Sequence, residues 1–438
     1  MRACGVCPFC GLLCSGISFG SLPDLPRQSV ADQADCERAS RGWWLSQPNS
    51  SWHLKPLRHG RVVAADVAIG ETAQQIADSR RTLFCGLGTD VAGMRKIIDY
   101  AQAVGGILDH LYSDALQTNL SLMQHAGWVA TTLSEIRFRA DVIVLVGDSL
   151  LDRFPRLLDL LTDRGEPKSK NAPKLFWLGT DDLQFRMQAM LLPHVQPISL
   201  KKSDWFAALT SLLLQADSPQ TGDLDSAVAH WGGSESFISL TRSLLSAHYT
   251  AWIWSAADFL SDGDDLILDL LARLVAKRNE TSRAAVLPLS GSNGDTTAQQ
   301  VCTWKTGFPL RQAIRQHSSD YQPHRFRATD VLKQGDCDAA IYVSSFEPIE
   351  PPEEFWGVSG VKIVVGHPAL KCATRADYFF PSGIPGVDHE SHLFRGDGVT
   401  IISADRKRDS LAPPVAEWFG QLLKQHRNAA FSQSYPQV

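Results

Sequence analysis

The chain has 438 residues, 44% of them apolar and 20% charged, with a net charge of −5. This is ordinary globular composition, long enough for two or three lobes around substantial cores. It excludes the basic footprint of a nucleic-acid or anionic-membrane binder, and no apolar run approaches the ~18 residues of a membrane span. The N-terminus goes from MRACG directly into cysteines, with no basic-then-apolar leader, and five of the nine cysteines cluster at this end. That usage argues for a reducing cytoplasm rather than a disulfide scaffold.

The first element is VCPFCGLLCSG, with ADCERASRGWW about twenty residues on. Cys7, Cys10 and Cys14 stand at C-x2-C-x3-C, with Cys36 as a fourth thiol and Cys4 as a spare just upstream. Short spacings let one loop wrap a cluster face, so the pattern suits a [4Fe–4S] cubane. Zinc would accept the same four sulfurs. The competing readings are buried small hydrophobes, or the remnant of a site that once bound metal.

Next comes a connector, SQPNSSWHLKPLRHGRVV, followed by an expected helix over about 66–79. The run Thr82–Gly86 reads as a buried strand. Gly86, Gly88 and Gly93 then form a glycine turn into a helix that ends at Gly105–Gly106. Strand, glycine turn and helix open a βαβ unit, though G-x-G-x4-G is a loose match to a phosphate cradle. ADVIVLVGD, KLFWLGTDD, YTAWIWSA, AAVLPLSG, DAAIYVSS and VKIVVGHPA are further strand patterns separated by amphipathic helices. Continuous apolar strands alternating with helices specify mainly parallel sheets covered on both faces.

The expected fold is therefore α/β, with two or more lobes and a small N-terminal four-Cys module. The expected divisions are 1–56 for that module, 57–218 and 219–366 for two α/β lobes, and 367–438 for a cleft-lining segment and tail. The polar linker Gln215–Asp225 marks the main boundary, and the tail from about Tyr435 should be loose. Loops Gly86–Gly93, Gly147–Asp152, Ser290–Asp295 and Ser344–Glu347 are expected to point at one cleft.

Other constellations carry less chemistry. His389-x2-His392 with Asp388 and Glu390 has metal-ligand composition but loose spacing, and reads as a polar loop. Lys305 suits an anionic ligand or a partner acid. Cys85, Cys302, Cys337 and Cys372 sit in apolar runs and read as core. PIEPPEEFWG reads as a surface loop, with a lid or docking edge as alternatives. The twelve tryptophans suggest large packed surfaces, mostly core and lobe seams. No G-x-S-x-G elbow and no dinuclear-hydrolase histidine set occurs.

Several segments together resemble the B subunit of formylmethanofuran dehydrogenase, a member of the molybdopterin/tungstopterin oxidoreductase superfamily. They are VCPFCGLLC, VGGILDHLYSDA, ADVIVLVGD, SGSNGDTTAQQVCTWKTGFP and RADYFFPSGIPGVDHESHLFRGDGV, in order along nearly the whole chain. TWKTGFP and IPGVDHESHLFRGDGV are the most specific. The resemblance implies a [4Fe–4S] cluster on Cys7, Cys10, Cys14 and Cys36. It places the family's metal-binding Cys-His pair on Ala115 and Leu116, and its catalytic Arg on Ser290. Ala115 and Leu116 can neither coordinate nor transfer a proton, and Ser290 cannot supply an arginine's cation. Ser113 and Asp114 nearby are hard oxygen donors, poor substitutes for a thiolate on a soft metal. Asn293 and Gly294 fall where a pterin phosphate or ring would lie, and read here as loop geometry.

With those replacements the chain looks like the B subunit of the formyltransferase/hydrolase complex of methylotrophic bacteria. The resemblance then implies a redox-inactivated structural subunit in one-carbon metabolism, with no catalytic residue of its own. Its partners would be the complex's A, C and D subunits, with A of amidohydrolase type and D of formyltransferase type. Together they would convert formyl-tetrahydromethanopterin via formyl-methylofuran to formate. No molybdenum or tungsten pterin is expected. Two alternatives stay open: an active pterin-dependent dehydrogenase subunit, or a [4Fe–4S] electron relay.

Overall fold

The computed structural model of the protein describes residues 3–19, 36–163, 172–217 and 234–434, apart from residues 262, 292 and 317. Most of the expected linker and the tail from 435 lie outside the described residues. The chain forms two compact units, residues 1–113 with 291–438, and residues 114–290.

The first unit is built on a nine-stranded sheet. Its order is Ser318–Tyr321, Gln312–Arg315, Gly106–Leu108, Thr82–Gly88, Ala339–Ser344, Val361–Gly366, Tyr378–Pro381, Leu57–Arg58 and Arg61–Val62. The five central strands, Gly106–Leu108 through Tyr378–Pro381, are parallel, and the outer strands at both edges are antiparallel. The central strands are buried almost throughout, as their unbroken apolar sequences require when both faces are covered. Helices Ala65–Ala77, Val91–Val104 and Val415–Ser434 pack together in this unit.

The second unit is a five-stranded parallel sheet ordered Arg283–Leu289, Tyr249–Ser255, Val142–Val146, Lys174–Thr180, Val195–Leu200. Its core takes Trp252 and Trp254, each 0% exposed, with Phe176 and Phe237. Buried indoles still need an acceptor, and Trp254 Nε1 donates to Asn119 Oδ1 at 3.0 Å and Trp177 Nε1 to the Gly147 carbonyl at 2.8 Å. Helices Trp205–Asp217, Glu235–Ser246 and Asp264–Arg278 supply much of the remaining core.

These units differ from the expected divisions at 57, 219 and 367. The cause is long-range pairing: Thr82–Gly88 hydrogen-bonds Ala339–Ser344, so segments from both halves of the chain share one sheet. The N-terminal module and the 367–438 segment belong to that same unit. Local differences are smaller. The helix expected over 66–79 runs Ala65–Ala77, and a short strand follows the next helix at Gly106–Leu108. Cys4 lies in strand Ala3–Gly5, opposite Ser18. Cys85, Cys302, Cys337 and Cys372 are buried and free, as core cysteines. PIEPPEEFWG is not simply a surface loop: Phe355 is 0% exposed and packs into the core.

Candidate functional site

In the first unit the parallel strands end in a row of polar residues: Asp109 and His110, Thr89 and Asp90, Ser345, His367, Ser382. Strand order reverses between Thr82–Gly88 and Ala339–Ser344, the place where open α/β sheets hold ligands beyond their carboxyl ends. Here the crevice is closed by the chain itself. The Ser345 amide and hydroxyl both donate to the Gly88 carbonyl, at 2.8 and 2.7 Å. The Asn293 amide packs on Gly88 so tightly that a Cβ there would lie 2.4 Å from Asn293 Nδ2. Asn293 itself has φ +51°, and neither Nδ2 nor Oδ1 finds a hydrogen-bond partner among the described residues.

The glycine turn is accordingly no phosphate cradle. Gly86 (φ +77°) sits inside the strand at a register shift, with Val343 O only 2.5 Å from where its Cβ would be. Asp90 caps helix Val91–Val104 by accepting from Gly93 N at 2.8 Å. Burial raises the Asp90 carboxyl above its ordinary range, while nearby His389 acts against that rise. His389 Nδ1 meets Glu390 O at 2.9 Å, its Nε2 is buried without a partner among the described residues, and His392 is exposed. Asp388 accepts from Arg408 and from Ile384 N. Asp388 and His389 precede strand Ser391–Phe394, which carries His392, so the segment is not one polar loop; no three of the described His, Cys, Asp and Glu side chains are grouped to hold a metal ion.

Beside the crevice lies a buried network. Arg311, 5% exposed, donates to Ser113 Oγ from Nε at 3.1 Å and Nη2 at 2.9 Å, and sits 3.7 Å from Asp109 Oδ1. Asp109 also accepts from His110 N at 3.0 Å and Ala328 N at 2.7 Å. Burial pushes the Asp109 carboxyl up to about 6, against the pull of Arg311. Burial likewise pushes His110 down to about 4, although its ring meets the Asn293 carbonyl at 3.2 Å. Arg311 is not among the residues that the sequence singles out; its one local signal, a non-glycine residue at φ +66°, is not visible in sequence.

These shifts have opposite signs for stability. Below about 6.5 the unfolded chain protonates His110 and His367, while the native chain holds them neutral to about 4 and about 3. Their contribution is therefore lost as pH falls. Asp109 works the other way, because the native chain takes up its proton near 6, ahead of the unfolded chain. For these three groups by themselves, two histidines against one aspartate make stability fall on acidification between about 6 and 4, on the order of 1.4 kcal/mol per pH unit. His110→Gln should flatten that slope in urea titrations at stepped pH. An unchanged slope would contradict the assignment.

The four-Cys module sits in the same unit. Cys7, Cys10, Cys14 and Cys36 are all buried, at 4%, 7%, 7% and 8% exposure. The loop closes on itself through Cys7 N to Cys14 O at 3.0 Å and Leu13 N to Cys10 O at 3.2 Å. Cys36 stands at the N-terminus of helix Glu37–Leu45. Burial pushes the Cys7 thiol well above its ordinary value, and the thiols of Cys10, Cys36 and Cys14 push the same way, so the four share one electrostatic neighbourhood. They are not gathered about a single ion. A cubane, with its own bulk between the sulfurs, holds four thiolates farther apart than one tetrahedral ion does. Lys407 lies against the module, donating to Val6 O at 3.0 Å and Gly386 O at 2.8 Å, and Arg38 reaches Phe9 O at 3.4 Å. Two cations beside four thiols suit a net-negative cluster. A small cavity of about 10 Å³, lined by Cys10, Gly11, Gly291, Gly294 and Phe346 among others, separates this loop from the crevice.

The two residues that the resemblance sets against the family's metal-binding pair both lie in packed surroundings. Ala115, on helix Ser113–His125, packs against the core of the second unit, and Leu116 is 4% exposed. Ser113 is engaged by Arg311 and hydrogen-bonds Asp109. Ser290 ends the second unit at the close of its sheet's edge strand. Lys305 pairs with Asp99.

No family model matches the chain. It is 22% identical over 411 residues to the B subunit of the tungsten-containing formylmethanofuran dehydrogenase 2 of Methanocaldococcus jannaschii, covering 90% of this chain and 91% of that one. It is 23% identical over 372 residues to the B subunit of the formyltransferase/hydrolase complex Fhc of Methylorubrum extorquens, covering 84% and 96%. The chain is a homologue of these B subunits. Its fold matches a chain of the crystal structure of the FhcABCD complex from M. extorquens with methylofuran, at TM-score 0.70 and 21% identity, covering 86% of this chain and 100% of that one. Acetylene hydratase from Pelobacter acetylenicus matches at TM-score 0.60 and 10% identity, covering all of this chain and 70% of the hydratase. The fold is thus the α/β one expected, and the resemblance to the B subunits holds. No helix among the described residues is long and apolar enough to cross a membrane.

Proposed function

We propose that this chain is a non-catalytic structural subunit of a formyltransferase/hydrolase complex, acting in the cytoplasm. In this reading it joins amidohydrolase-type A, C and formyltransferase-type D subunits that pass a formyl group from tetrahydromethanopterin via methylofuran to formate. The observation that carries it is the fate of the ancestral metal position. Ala115 and Leu116 are packing residues, and Ser113, the nearest oxygen donor, is held by Arg311 and Asp109. A hydroxyl so engaged is a poor ligand for a soft metal. The Asn293 side chain seated on Gly88 also fills space at the crevice.

Cys7, Cys10, Cys14 and Cys36 are proposed to hold a [4Fe–4S] cluster in a structural role. Their shared burial and the flanking Lys407 and Arg38 support this. Such a cluster would staple the N-terminal loop to the helix that starts at Cys36.

The test is to isolate the tagged chain from its native host under anaerobic conditions and assay it with and without its co-purifying subunits. The assembly should hydrolyse the formyl carrier. The chain alone should show neither hydrolysis nor viologen-linked formate oxidation. Turnover of either substrate by the isolated chain would sink the proposal.

A further inference from the structure

Three buried N–H donors in the first unit have no acceptor among the described residues. They are His367 Nε2, Trp52 Nε1 and Arg408 Nη2. His367 follows the central strand Val361–Gly366 and is 0% exposed; Trp52 is 8% exposed. The three side chains are mutual neighbours. The Trp52 and His367 rings meet edge-to-face with centroids 5.0 Å apart, and the Arg408 guanidinium lies 5.6 Å from the Trp52 ring centroid. Arg408 also faces His367 closely enough to act on its charge.

The protonation of this group follows from its contacts. The Ala369 amide donates to His367 Nδ1 at 3.1 Å, so the ring proton sits on Nε2 and that nitrogen is a donor. Burial, helped by Arg408, keeps the imidazole neutral by lowering its pKa to about 3. Arg408 already gives Nε to Asp388 and Nη1 to the Ser46 carbonyl, which leaves Nη2 unspent. Indole and guanidinium can only donate. No acceptor is recorded for any of these three N–H groups among the described residues. An orphaned buried donor costs about 1–3 kcal/mol, so three in one place are not retained without something to accept from them. A water molecule brings two lone pairs and two hydrogens of its own, and matches such a set poorly.

We propose that His367, Trp52 and Arg408 form a binding site for a small monovalent anion, a halide or a carboxylate of formate size. The anion accepts from all three N–H groups at once.

The probe is bromide. Crystals of the full chain grown in bromide should show an anomalous peak within hydrogen-bond distance of His367 Nε2, Trp52 Nε1 and Arg408 Nη2, and formate should displace it. In solution the chain should broaden the bromide NMR line saturably. Trp52→Phe keeps the ring and removes one donor, and should weaken that binding about tenfold. A neutral water at this position, unmoved by bromide or formate, would overturn the proposal. So would equal line broadening by the wild type and W52F. The crystal experiment needs no variant, so it decides the matter even if W52F folds poorly.

Discussion

Arg311→Met should destabilise the protein by about 3–5 kcal/mol, the range expected when one partner of a buried ion pair is removed. Arg311 is 5% exposed and lies 3.7 Å from Asp109, whose side chain is 2% exposed. It also donates to Ser113 Oγ, and from Nη1 to the Pro323 carbonyl at 3.4 Å. Without the cation, Asp109 is left in an apolar setting that already pushes its carboxyl up to about 6. The Asp109→Asn change removes the stranded charge while keeping an acceptor for the Ala328 amide. The double variant should therefore recover part of the loss, and urea denaturation of the cycle reads the coupling. An Arg311→Met cost within about ±0.5 kcal/mol, typical of a surface change, would show that the network does not hold the strand end.

Gly291→Ala should be the second large effect, at roughly 3 kcal/mol or more when left-handed strain and overpacking are combined. Gly291 has φ +118°, and a Cβ there would lie 2.2 Å from Gly11 Cα. That obstacle is backbone, which cannot rotate away. Gly11 is further tied by the Gly396 amide, which donates to its carbonyl at 2.6 Å. The substitution should therefore displace the Cys10–Gly11 turn and open the buried thiols to a maleimide. Gly307→Ala is the control: it carries φ +82° with nothing within 4 Å of a new Cβ. It should cost only the strain, about 1–2 kcal/mol, and leave thiol labelling unchanged. Equal labelling in both variants would separate the cysteine loop from the Gly291 turn.

The parts legible in sequence were those with local patterns. Val142–Val146 and Val361–Gly366 read as strands because a parallel strand buried on both faces must be apolar without a break. The helix Val91–Val104 was framed by its glycine stop, and Gly105 does take φ +82°. The cysteine spacing marked the N-terminal module. What stayed hidden was non-local. Nothing near Ala339–Ser344 announces that it pairs with Thr82–Gly88, so the interleaving of distant segments in one sheet is not visible in the local patterns. Arg311, Lys407 and Arg408 are ordinary basic residues until the fold brings them to Asp109, to the cysteine loop and to Trp52. The Gly86–Gly93 turn shows the converse. Its glycines have the look of a ligand cradle, but they serve a strand irregularity and the close approach of Asn293.

The most direct test of the central claim is metal and pterin analysis of the complex purified anaerobically through this subunit. The proposed structural role, with Ala115 and Leu116 set by the resemblance at the family's metal-binding pair, predicts no stoichiometric tungsten or molybdenum and no fluorescent pterin on acid extraction. Iron at the level of one cluster per chain, with the matching low-temperature EPR signal on reduction, should accompany that result if the four cysteines hold their cluster. Stoichiometric tungsten or molybdenum with a pterin would contradict the account, and would return Ser113 and Asp114 to consideration as ligands of a working redox centre.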